Sequence, residues 1–98
     1  MKFEWDETKN KTNSRTHGVR FEDACYAFSD PFGLNLYDEG HSDAEDRWIL
    51  LSRSPLNGRI IVVVHTFRRS GDIETVRIVS ARKANKSEEA TYNRRAPQ

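Results

Sequence analysis

Cysteine, proline, glycine and long apolar runs are all scarce in this chain. Its 98 residues include one cysteine, Cys25, so no internal disulfide can form, which suits a reducing cytoplasm. No uninterrupted apolar run exceeds five residues, far short of the roughly 20 that a bilayer-spanning helix needs. A membrane partner is therefore not expected. The opening residues, Met1 to Lys9, place acids early and hold no apolar core, so they do not read as a signal peptide. No Cys/His cluster has zinc-ligand spacing. Glycine-rich phosphate loops and Ser/His/Asp elbows are missing too. Residues 21–46 contain neither lysine nor arginine.

That last gap gives meaning to an otherwise neutral balance. Sixteen Lys and Arg stand against fifteen Asp and Glu, for a formal net charge of +1. The charges are nevertheless segregated. Residues 21–46 carry eight acids, while residues 47–98 carry eleven basic groups, nine of them arginine, against four acids. Such asymmetry points to an acidic or nucleic-acid partner for the basic part. The length corresponds to one domain, residues 1–98, with a small core and a flexible last few residues. Ten aromatic residues and two dense apolar runs argue against disorder.

Along the chain, Phe3 and Trp5 alternate with polar residues. Asp6 is a helix N-cap in type, Gly18 a helix stop, and Glu7 to about Arg15 the helix between them. From Asp6 to His17 there is no large apolar residue, so this helix either frays or meets something polar. Phe21, Ala24, Cys25 and Phe28 form a helical stripe that Asp30-Pro31 ends. Leu34 to Tyr37 reads as an edge strand and Asp38 to Asp46 as an acidic loop or wide turn. Arg47–Arg53, Ile60–Phe67 and Ile73–Ala81 read as strands, separated by turns at Asn57-Gly58 and Ser70-Gly71. Ser87 is in position to cap a final helix, Glu88 to about Arg94. Two N-terminal helices, a meander of three or four antiparallel strands and one C-terminal helix make an α+β fold.

The basic residues cluster in and beside the strands: Arg47, Arg53, Arg59, Arg68, Arg69, Arg77, Arg82 and Lys83. Strand side chains alternate between faces, so some of these share a surface, either as solvated groups or as a bidentate phosphate clamp. With helices on one side of the sheet, the other side is expected to show His65 and one or more arginines. His65 is either a structural residue of the most apolar strand or a catalyst, and His17 either complements a helix end or acts as an acid. Glu45, beside Arg47, is either a rim ion pair or a base next to a phosphate-holding cation. Trp5 and Tyr92 offer stacking faces for unpaired bases, while Trp48 and Phe67 read as core.

Four ordered runs are similar to a known family. They are Phe3-Glu4-Trp5-Asp6 with Lys9, Asn13, His17-Gly18-Val19 and Phe21-Glu22; Glu45-Asp46-Arg47-Trp48; Ile61 to Arg68; and Arg77 to Ala84. Together they resemble the BrnT-type toxins of bacterial BrnT/BrnA toxin–antitoxin pairs, from Phe3 to about Tyr92. Ser52, where the family usually has glycine, and the longer tip Arg69-Ser70-Gly71 depart from the pattern. The resemblance implies a RelE-like ribonuclease fold and metal-independent RNA cleavage that stops translation and growth, without a cofactor. It also implies a BrnA-like antitoxin whose ribbon-helix-helix part binds promoter DNA. Combined with the residues, it makes Glu45 or His65 the base and Arg68, Arg77 and Arg82 the phosphate clamp. Arg47 would orient Glu45, Lys83, Trp5 and Tyr92 would add RNA contacts, and His17 would be a weaker acid. The rival class is a module that holds nucleic acid or a protein without cutting anything.

Overall fold

Residues 1–41 and 45–96 are described by the computed structural model. The middle of the acidic 38–46 turn and the final two residues, expected to be flexible, lie outside the described residues. The elements run β1 (Lys2–Glu4), α1 (Glu7–His17), α2 (Phe21–Tyr26) with a 3-10 turn at Ala27–Ser29, β2 (Leu34–Tyr37), β3 (Arg47–Arg53), β4 (Ile60–Ser70), β5 (Ile73–Lys83) and α3 (Lys86–Arg95). A further 3-10 turn occupies Glu39–His41.

The strands form one sheet in the order β1-β5-β4-β3-β2. Strands β2 to β5 are the expected antiparallel meander, with β2 at the edge. The expectation of a RelE-like meander of three or four antiparallel strands fits only in part, because β1 adds a fifth strand parallel to β5. A three-residue segment is too short for its alternation to declare a strand, and its partner lies at the far end of the chain. In β5 the pairing with β4 shifts between Val64 and His65, leaving Val79 as the extra residue of a bulge. The turns before β4 and β5 use Gly58 and Gly71 in the left-handed region, at φ +72° and +61°.

Helices α1 and α2 cover one face of the sheet. There Leu50, Ile61, Val63, Val76, Ile78 and Ala81 meet Val19, Phe21, Ala24 and Ala27. On the other face, α3 lays Tyr92 over Leu51 and Val62. Helix α3 begins earlier than expected: Asn85, not Ser87, is the cap, and its side chain and that of Glu88 form a reciprocal capping box.

The polar helix α1 is explained by two buried asparagines. Asn13 Nδ2 donates to the carbonyls of Val19 (2.9 Å) and Ala81 (2.8 Å), and its Oδ1 accepts from Ala81 N–H (3.2 Å). Asn10 Oδ1 accepts from Phe21 N–H at 2.8 Å, while its Nδ2 donates to Glu22 at 2.7 Å. Strand β1 pairs with β5 only as far as Arg77, so at Ala81 the Asn13 amide takes the place of a neighbouring strand. The helix docks through backbone hydrogen bonds rather than an apolar stripe.

A second polar junction holds α3. Asp30 Oδ2 accepts from Tyr92 OH (2.6 Å), Arg53 N–H (2.8 Å) and Ser52 Oγ (3.2 Å). Partial burial pushes the Asp30 carboxyl up, but these bonds outweigh it and hold it below the usual carboxylate range.

Candidate active site

Helix α3 covers only one end of its face and leaves the β3–β4–β5–β1 end open. The register identifies the side chains there. Glu4 pairs with Arg77, Arg77 with Thr66, and Thr66 with Arg47, giving one row across four strands. At strand spacings near 4.8 Å the row spans about 14 Å. In the next row along the strands, Arg68 pairs with Thr75 and Thr75 with Lys2. Arg68 Nη2 stands 3.2 Å from Glu4 Oε1, and Arg77 Nη1 stands 3.8 Å from the same oxygen. This end of the sheet therefore presents two guanidinium groups around one carboxylate, with Arg47 three strands from Glu4. The side chains of Arg68, Arg77 and Glu4 are all partly exposed, so their pairs are weak and a competing anion can exchange them, whereas Arg47 is half-buried.

Arg82 shares this face but lies well along β5 from Arg77. Its fork is engaged by Glu88, with Nη1–Oε1 at 2.8 Å and Nη2–Oε2 at 2.9 Å. That bidentate pairing raises the Arg82 pKa. Arg82 thus ties β5 to the first turn of α3 and does not join Arg68 and Arg77. Lys83 pairs with Ile61 at the opposite end of the sheet. It lines an open recess with Arg53, Arg59 and Glu89.

The expected grouping of His65 with the arginines is overturned. The register of β3 and β4 puts His65 on the helix-covered face, beside Trp48. Its ring meets Phe28 edge-on at 4.9 Å between centroids, and it is 4% exposed. Nδ1 lies 3.1 Å from the Val63 carbonyl oxygen. Burial lowers the imidazole pKa from its ordinary value. The sheet separates His65 from the Arg68–Arg77 pair, so it cannot serve as a base there.

Trp5 and Tyr92 likewise offer no stacking platform on the open end. Trp5 packs edge-on against Phe21 under the helices and donates its indole N–H to Glu7 at 3.0 Å. Tyr92, on α3, is buried against Leu51 and Val62, with its hydroxyl on Asp30. His17 ends α1 on the helix side, bordering a groove with Thr12, Thr16 and Val79. Glu45 is exposed in the bend before β3 and makes no ion pair among the described residues. Trp48 is half-buried near His65, whereas Phe67, expected in the core, is 43% exposed.

The residue that sequence reasoning missed is Glu4. Its local signals are its place opposite Phe3 and Trp5 in the opening alternation and its place in the family-like run Phe3-Glu4-Trp5-Asp6. Nothing near it in the chain announces that β1 lies beside Arg77. Among the described residues, no group of three His, Cys, Asp or Glu side chains converges to hold a metal ion. No helix among them is long and apolar enough to cross a membrane.

A family model described as ribonuclease toxin, BrnT, of type II toxin–antitoxin systems matches residues 5–88. No curated protein matches the chain. The family match takes in α1, the three long strands and the start of α3, and so spans the arginine-bearing strands described above, while β1 (Lys2–Glu4) lies before it. The chain belongs to the BrnT family of type II toxin–antitoxin ribonuclease toxins.

Proposed function

We propose that this protein cuts RNA at the open end of the sheet, without a metal, and thereby stops translation and growth. RNA supplies its own nucleophile, the 2′-hydroxyl. An enzyme then needs a proton acceptor, a clamp for the charge that develops on the phosphate, and protonation of the departing 5′ oxygen. The observation that carries this reading is the pair Arg68 and Arg77, which share a face and reach toward one point beside Glu4. Two guanidinium groups converging on one small anion provide what a phosphate clamp needs. Arg47, in the same cross-strand row, extends the cationic track toward the next phosphate.

The partner is a BrnA-like antitoxin with a ribbon-helix-helix part, through which promoter DNA is reached. To block this surface, its covering segment should be acidic.

Two measurements test the proposal. Induced expression should arrest growth, and purified protein should shorten RNA with EDTA present. Arg77→Ala or Arg68→Ala should remove both effects. Activity abolished by EDTA overturns the metal-free part. Cleavage and toxicity that survive both arginine changes overturn the clamp. Salt-sensitive RNA binding with no shortened products supports a binding module instead.

A further inference from the structure

We propose that Glu4 is the general base of this ribonuclease site, the group that takes the proton from the attacking 2′-hydroxyl. The inference rests on the reading of the open sheet face as an RNA-cleaving site and deepens it by naming the proton acceptor.

The 2′-hydroxyl and the phosphate it attacks belong to one nucleotide step. The acceptor must therefore stand within a few ångströms of whatever holds that phosphate. Among the described residues, Glu4 is the carboxylate that contacts both Arg68 and Arg77. Other acids of the strands and their flanks among the described residues, and the buried histidine, are occupied or misplaced. Glu88 is bound to Arg82, Glu74 to Arg69, and Asp46 accepts from the Tyr37 hydroxyl. Asp30 is tied into the α3 junction, and His65 is on the far side of the sheet. Glu45 is exposed outside the strand ladder.

Glu4 is also held in place by its backbone. Strand β1 fixes it opposite Arg77, while its neighbours Phe3 and Trp5 anchor the strand into the helix-side core. Its side chain is about one-third exposed, enough for a ribose to reach it. Arg68 is largely solvated, so an incoming phosphate can draw the guanidinium groups away from the carboxylate at little cost. The exchange frees Glu4 to accept a proton at the moment the clamp closes on the substrate.

The step balances without a co-reactant beyond water. The 2′ oxygen forms a bond to phosphorus as its proton passes to the Glu4 carboxylate. The bond from phosphorus to the 5′ oxygen breaks, and that oxygen takes a proton from solvent. The products are a 2′,3′-cyclic phosphate end and a 5′-hydroxyl end.

The test is single-turnover cleavage of a labelled RNA by wild type, Glu4→Gln and Glu4→Ala, with RNA affinity and thermal melting measured alongside. Glu4→Gln should slow cleavage by about 10²- to 10⁴-fold, the usual contribution of a general base. Its RNA affinity should hold or rise, because the arginines lose a competing anion. The rise of the wild-type rate with pH should flatten in the variant. Added formate should restore part of the Glu4→Ala activity, a rescue that keeps the test open even if Glu4→Gln folds poorly. The proposal is overturned if Glu4→Gln cleaves within tenfold of wild type, or if formate gives no rescue in folded Glu4→Ala. If wild type itself yields no cyclic-phosphate ends, the ribonuclease reading fails first, and it fails on a separate observation.

Discussion

Replacing Asn13 by alanine should unfold this protein far more readily than its place on a polar helix suggests. The Asn13 amide makes three hydrogen bonds, two to carbonyl oxygens and one from a backbone N–H. Their backbone partners belong to Val19 and Ala81, at 8% and 0% exposure, where water cannot replace the lost partner. Each hydrogen bond contributes about 1 kcal/mol net, and each buried group left unpaired costs roughly 1–3 kcal/mol. Allowing for partial relaxation, the change should cost about 3–5 kcal/mol. Total stability for a domain of this size is about 5–15 kcal/mol, so this is a large share. At about 4–8 °C per kcal/mol, the melting temperature should fall by at least about 12 °C.

Far-UV circular dichroism during heating and urea titration measures the loss. Thr12→Ala, at an exposed position on the same helix, is the control and should lie within about 0.5 kcal/mol of wild type. Asn13→Asp separates hydrogen bonding from volume. It keeps the shape and the acceptor for Ala81 N–H but sets an anionic oxygen against two carbonyls. It should be at least as damaging as alanine. A loss below about 1 kcal/mol for Asn13→Ala would refute the reasoning, since α1 would then be held by something other than these bonds.

Two further outcomes follow from the placement of His65 and Arg82. Burial keeps the His65 imidazole below its ordinary pKa of 6.5, so as pH falls past that value the unfolded chain binds a proton that the folded chain refuses. Stability should therefore drop below that pH by up to about 1.4 kcal/mol per pH unit, until the folded pKa is reached. Urea unfolding of wild type and His65→Gln at two pH values either side of it should show a steeper loss in wild type; parallel losses would contradict the assignment. Arg82→Ala should release α3 and lower the melting temperature modestly, because its pairing with Glu88 is partly solvated. Its cleavage rate should fall far less than that of Arg77→Ala. Equal losses in the two variants would place Arg82 back in the clamp.

Several features of this fold were readable locally. The caps at Asp6 and Gly18 act within one helix, through Lys9 N–H and the Ser14 carbonyl. The apolar run Ile60–Val64 becomes the first half of β4, the central strand, because β-branched residues suit a sheet covered on its faces. The Asn57-Gly58 and Ser70-Gly71 turns are tied to residues that tolerate positive φ. The arginine-rich half forms the three long strands.

The open face itself was not readable, because strand periodicity says which residues share a side but not which side the helices take. One residue of register would have exchanged His65 for Thr66 beside Arg77. The pairings of β4 with β3 and β5 settle that choice, sending His65 under Phe28 and Arg68 outward. The partner of Glu4 is 73 positions away in the chain, and only the parallel docking of β1 joins them. The amino-acid sequence by itself determined α1 with its caps, α2, the four meander strands, their glycine turns and the wealth of arginine, because these depend on contacts within a few residues. Tertiary structure alone decided which arginines converge and which carboxylate stands among them. Those contacts arise from long-range strand pairing, which no local pattern encodes.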